Sequence, residues 1–151
     1  MQFVDLGGRS AQRLGLSRSL GQIYAALYLS PRPLGLEDLM TQLHISKGNA
    51  SMGVRQLAEW GAIKRVWIKG SRKDFYQAEE NLRTVVSQFI GSTIRPRIKS
   101  SHLQLEDMTT ELKSKGKPDP DEQFMQDRIQ TLQRVHKRLE KVIPLIEKVL
   151  S

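Results

Sequence analysis

The chain has 151 residues, no cysteine, and 24 basic against 16 acidic side chains, a formal net charge of +8 with a pI near 10.0. This excludes a disulfide framework and a thiolate metal site, and makes a polyanion the natural partner. The N-terminus has no apolar stretch ending in small residues, and the longest mostly apolar run, residues 23–29, is too short to span a bilayer. A cytoplasmic protein of one compact domain, or one domain plus an extension, is expected.

Residues 1–15 read as an N-terminal arm. Phe3, Val4 and Leu6 are free to dock on a core, Gly7-Gly8 breaks any regular element, and Arg9 and Arg13 could reach DNA phosphates, although a solvated arm is the plainer reading. A helix then runs to about Leu29, with Leu20, Ile23, Tyr24, Leu27 and Tyr28 at helical spacing, and Pro31 and Pro33 stop it. Leu36–Leu43 is a short amphipathic helix with Glu37 and Asp38 in its first turn, where a helix dipole favours acids. His44-Ile45 is a tight turn. Leu36, Leu39, Leu43 and Ile45 are expected to share one small core with Val54, Leu57 and Ile63.

Ser46 is a good N-cap for the next helix, because its hydroxyl can accept from an unpaired N–H of the first turn. Ala50, Val54 and Leu57 form the apolar face, leaving Lys47, Asn49, Ser51, Met52, Arg55 and Gln56 pointing elsewhere. Gly61 ends the helix. After it the period changes to two: Ile63, Arg65 and Trp67 alternate with Lys64, Val66 and Ile68, residues 69–73 supply a turn around Gly70, and residues 74–78 return as the partner strand. A polar-faced helix followed by a basic hairpin is the recognition helix and wing of a winged helix-turn-helix, the first for a major groove and the second for the backbone or minor groove. Residues 46–73 hold seven basic side chains and one acidic one, six of the eight net positive charges.

The DNA-contacting set read from this stretch is Ser46, Lys47, Asn49, Ser51, Met52 and Arg55 on the helix, with Lys69, Ser71, Arg72 and Lys73 on the wing. Asn pairs bidentately with adenine and Arg with guanine, while Ser and Lys more often hold phosphate. Each residue taken singly is as readily an ordinary solvated side chain; the set is what carries the reading. Gly48 and Gly53 would let the helix backbone approach DNA. Phe75, Tyr76 and Trp67 are expected to pack the wing.

From Leu82 a long amphipathic helix is expected through about residue 112, kinked or interrupted by Pro96. Residues 114–119 form a break, and Asp119 or Asp121 caps a last helix with Pro120 in its first turn. There Met125, Ile129, Leu132, His136, Leu139, Ile143, Ile146 and Leu150 follow a heptad seam that Val135, Val142 and Val149 widen. Its breadth suggests a bundle with the 82–112 helix and with the same helices of a second subunit; packing within the chain alone is the competing explanation. Pro144 bends this helix without ending it. The fold class is therefore mainly α with a small β-wing: an arm (1–15), a winged helix-turn-helix domain (16–80) and long C-terminal dimerisation helices (81–151).

The strings ISKGNASM (45–52), EWG (59–61) and GSRKDFYQAE (70–79), with Leu57, resemble the GbsR-type subfamily of MarR-like transcriptional regulators, and the likeness extends over roughly residues 15–80. The resemblance implies a homodimeric winged-helix repressor or activator whose partner is double-stranded DNA. Some members of the subfamily are linked to choline and glycine betaine uptake or synthesis. Two features depart from the pattern: Gly53 stands inside the recognition helix, where a polar or larger side chain is expected, and the tail matches no effector site. Trp60, Tyr24 and Tyr28 invite comparison with the aromatic cages that hold quaternary ammonium ligands, although aromatics at helical spacing usually form core. His44, His102 and His136 are scattered without metal spacing; His136 on the seam could be a pH-sensitive residue that fixes register, but a satisfied or partly exposed interface histidine is the plainer reading. Phosphate-binding glycine loops, a nucleophile elbow and HExxH are absent, so neither an enzyme nor a cofactor is expected. A winged-helix protein-interaction module with a coiled-coil docking tail is the alternative.

Overall fold

In the computed structural model, which describes residues 1–114 and 116–150, Gln2–Arg13 forms a helix, α1, rather than an arm broken at Gly7-Gly8. The two glycines do not break the helix; they admit a neighbour. α2 (Arg18–Leu29) crosses α1 so closely that a Cβ on Gly7 would sit 2.6 Å from the Gly21 carbonyl oxygen, and one on Gly21 2.6 Å from the Gly7 carbonyl carbon. Ala11 is buried in the crossing, and Arg18 pairs with Asp5 across it at 3.0 Å. α2 begins where Ser17 accepts from the Leu20 N–H, and turns Leu20, Ile23 and Leu27 into the core.

β1 (Leu34–Gly35) follows the prolines and was not expected; two residues are too few for alternation to register. α3 (Leu36–Leu43) starts as the Asp38 carboxylate accepts from the Gly35 N–H at 2.8 Å, and stops at His44, whose φ of 51° is left-handed. α4 (Lys47–Glu59) follows at once, capped by Ser46. Gly61, at φ 65°, turns the chain into β2 (Ile63–Val66), which pairs antiparallel with β3 (Phe75–Ala78) from Ile63↔Ala78 to Val66↔Phe75. β1 pairs with the other edge of β3, giving the order β1-β3-β2. Ile23 and Leu39 are fully buried at the centre, with Val54, Leu57, Trp60 and Ile63 around them; Leu36, Leu43 and Ile45 pack half-buried on this cluster. Three helices and a three-stranded ribbon around one core are a winged helix-turn-helix, extended at its N-terminus by α1. α5 (Leu82–Phe89) closes this first compact unit, Met1–Phe89.

The second unit, Ile90–Ser151, is a helical hairpin. It opens with a π-turn, Ile90–Ile94, ahead of α6 (Arg95–Ser114). The expected effect of Pro96 takes this form: its ring removes a donor and crowds the carbonyl four residues back, and a wider turn relieves both. Lys115, within the break expected at 114–119, lies outside the described residues. α7 (Pro120–Leu150) starts with a reciprocal cap, the Glu122 N–H donating to Asp119 at 2.8 Å and the Asp119 N–H to Glu122 at 3.2 Å. It runs on through Pro144.

The Arg95–Glu147 ion pair and the Gln133–Thr109 hydrogen bond of 3.2 Å hold α6 and α7 antiparallel. The heptad seam splits in two. Ile129 and Ile143 are buried, and Gln126, Gln133 and His136 lie on the same inward row. Leu132, Val135, Leu139, Val142, Ile146 and Val149 form a second row at 3-4 spacing that is left exposed, because a single neighbouring helix covers only one stripe. Among the described residues no helix is long and apolar enough to cross a membrane.

Candidate nucleic-acid interface

α4 presents two faces of different kind. Ala50, Gly53, Val54 and Leu57 are buried against α2 and α3. A Cβ on Gly53 would collide with the Ile23 Cδ1. The glycine in the middle of this helix is therefore a packing residue on the core side, which corrects the expectation that it lets the backbone approach DNA. Gly48 is different: it lies on the open side, with only the Ser46 hydroxyl near a Cβ placed there.

The outward face carries Lys47, Asn49 and Arg55 exposed, Ser51 half-buried, and Met52 at 67% exposure. Ser46 is committed to the helix itself, its hydroxyl accepting from the Asn49 N–H at 3.2 Å. The wing tip turns over residues 68–71, where the Ser71 N–H reaches the Ile68 carbonyl at 3.1 Å and Gly70 takes φ 87°. The Ser71 hydroxyl then accepts from the Lys73 N–H.

The cations divide into tethered and free. Arg65 is held by Asp74, and Lys73 reaches Glu37 on α3 at 2.6 Å. Lys73, one of the expected wing contacts, thus has an acidic partner 36 positions earlier in the chain. Lys47, Arg55, Lys64, Lys69 and Arg72 form no ion pair among the described residues. An open cleft of about 570 Å³ brings Lys47 of α4 together with Arg72 and Lys73 of the wing, facing Glu37, Asp38 and Asp74. Asn49, Ser51, Met52, Arg55 and Lys69 lie outside this cleft.

Trp67 corrects another expectation. It was assigned to wing packing, but β2 ends at Val66 and the indole one residue on is 84% exposed. Phe75 and Tyr76 are half-buried.

The other aromatics do converge. Trp60 meets Phe89 edge-on at 4.8 Å, and Tyr24 lies 5.8 Å from Tyr28. Together with Phe3 they line an apolar pocket of about 330 Å³ within the first unit. The Tyr24 hydroxyl donates to the Glu79 carbonyl at 3.0 Å; burial first, then Tyr28 and Glu79 nearby, push its pKa up to about 12, so it remains a donor at neutral pH. The histidines stay apart: His102 lies 3.2 Å from Glu106 and His136 2.9 Å from the Leu132 carbonyl, and the described residues hold no cluster of metal-binding side chains.

No protein-family model matches the chain. Among curated proteins it is 25% identical over 128 residues to the HTH-type transcriptional repressor GbsR of Bacillus subtilis, covering 84% of this chain and 71% of that protein. It is 29% identical over 91 residues to the repressor OpcR of the same organism, covering 60% of this chain and 49% of OpcR. The HTH-type regulator MmpR5 of Mycobacterium tuberculosis is 29% identical over 82 residues, covering 54% of this chain and 50% of MmpR5. The chain thus spans about half the length of most curated relatives it matches. A crystal structure described as a transcriptional regulator superposes with a TM-score of 0.65 at 23% identity, over 99% of this chain and 94% of the other, a likeness of fold. In sequence the chain is thus similar to the GbsR and OpcR repressors, and in its winged helix-turn-helix fold to a solved transcriptional regulator.

Proposed function

We propose that the chain is a sequence-specific DNA-binding transcription regulator that acts as a homodimer, with residues 46–60 in a major groove and the wing, residues 63–78, on the flanking backbone or minor groove. The observation that carries this reading is the division of α4: a core side that holds the helix rigidly through Gly53, and an outer side of Lys47, Asn49, Ser51, Met52 and Arg55 that continues into untethered Lys69 and Arg72. Ser71 and Lys73 complete the set, Lys73 by exchanging Glu37 for a phosphate; the exchange costs little because exposed ion pairs are worth about 0–1 kcal/mol. Repression is the mode read here, since GbsR and OpcR carry that name.

The exposed apolar row on α7 supports a subunit contact through that helix. Its test is Leu139→Glu with Val142→Glu. The pair is expected to convert a dimer into a monomer in light scattering, while the circular dichroism of the chain still shows its helices folded. A molar mass that does not change with the substitutions would remove α7 from the interface.

Function itself is tested by selecting bound duplexes from a random pool. A pseudo-palindromic site with half-sites about one helical turn apart, bound with an affinity that falls steeply with salt, is expected. A protein that retains no duplex and shows no salt-dependent affinity would instead be the interaction module.

We further propose that the aromatic pocket receives a small quaternary ammonium effector. Such an ion has no N–H donors to leave unpaired, and aromatic walls supply attraction of about 0.5–2 kcal/mol. Calorimetry with choline, glycine betaine and the neutral isostere 3,3-dimethylbutanol separates the cases. Choline is expected to bind more tightly than the isostere, and equal affinities would mean that the pocket reads shape alone.

A further inference from the structure

Trp67 is one of only two tryptophans in the chain. Trp60 is 9% exposed and locked against Phe89; Trp67 is 84% exposed and, among the described residues, has neither an aromatic nor a cationic partner. The wing does not need it. Its ladder ends with Val66 opposite Phe75, and Arg65 is anchored to Asp74. The indole stands at the distal end of the hairpin, immediately before the tip turn over residues 68–71, with untethered Lys64, Lys69 and Arg72 as its charged neighbours along the wing.

A large apolar ring offered to water on a basic hairpin suits an anionic partner with a narrow, partly apolar groove. A minor groove has sugar walls that receive a flat ring, while lysine and arginine take the phosphates on either side. The indole N–H adds information, because tryptophan is a donor and never an acceptor. The minor-groove edge of an A·T pair presents only acceptors, whereas a G·C pair also presents the guanine amino donor.

We propose that Trp67 is a specificity-determining residue that enters the minor groove flanking each half-site and selects A·T pairs there through its indole N–H. The inference rests on the DNA-binding reading and extends it to a position outside the recognition helix.

The test uses the selected duplex in two versions, with A·T or G·C pairs at the wing-side flanks, and measures anisotropy for the wild type and Trp67→Phe. The wild type is expected to prefer the A·T flanks by about thirtyfold, the worth of one hydrogen bond in each of the two half-sites. Trp67→Phe is expected to bind both versions equally and to keep the salt slope, because the indole releases no counterion. As a measure independent of affinity, the tryptophan emission that distinguishes wild type from Trp67→Phe is expected to become shielded from acrylamide only when duplex is added. An equal flank preference in the two proteins, or an indole as open to quencher in the complex as in the free protein, overturns the assignment while leaving DNA binding in place. Shielding in the absence of DNA overturns it in favour of a protein contact. Failure of the wild type to bind any duplex overturns the DNA-binding reading, and this inference with it.

Discussion

Gly21→Val is expected to destabilise the first unit by roughly 3 kcal/mol, the upper part of the range for overpacking a tight contact, and to lower its melting temperature by about 15 °C. The group that a Cβ would strike is the Gly7 backbone, with the Ala11 Cβ also only 2.7 Å away. Backbone cannot rotate aside as a side chain does, so relief requires α1 and α2 to separate along their whole crossing. Ala11 and its neighbours then lose their contacts together, and the amides of residues 2–13 are expected to exchange faster with solvent. Gly48→Ala is the control. Its surroundings are open, and alanine is the better helix former by about 1 kcal/mol, so its melting temperature is expected to equal or exceed that of the wild type. Equal melting of Gly21→Val and wild type would mean that the helices do not cross through these glycines.

The second large effect is expected in DNA binding. Lys69→Ala with Arg72→Ala removes two wing cations per subunit that have no ion-pair partner in the described residues, so no internal interaction is lost with them. In a dimer the change removes four phosphate contacts, and the plot of log affinity against log salt is expected to become shallower by about 3.6. Affinity near 0.1 M salt falls by about a thousandfold or more on every duplex, matched or mismatched, because phosphate contacts carry no base preference. Lys73→Ala is expected to cost less, since Lys73 must first leave Glu37. An unchanged salt slope in the double variant would take the wing off the DNA.

What could be read in advance was local. α3 and α4 stand within a residue of their expected bounds because caps, periods and stops lie inside the segments themselves: Ser46 before α4, Gly61 after it, Asp38 in the first turn of α3. What escaped depends on residues distant in sequence. Gly7 looked like a breaker because its counterpart, Gly21, is in another helix; Gly53 looked out of place because the Ile23 methyl it accommodates lies thirty residues earlier. The outward set on α4 followed from helical geometry alone, while the Lys73–Glu37 pair needed the sheet and α3 to come together. Trp67 fitted a strand alternation that stopped one residue too soon. The breadth of the α7 stripe was visible, but its division between an inward and an outward row required knowing where α6 lies.

The contact between Gly53 and Ile23 also limits how a signal can travel. The Ile23 methyl fills the space where a side chain at position 53 would stand, so the α4 backbone rests directly on a side chain of α2. Tilting α4 toward α2 would press its backbone onto that methyl, so the helix and the core that carries it are expected to move as one body.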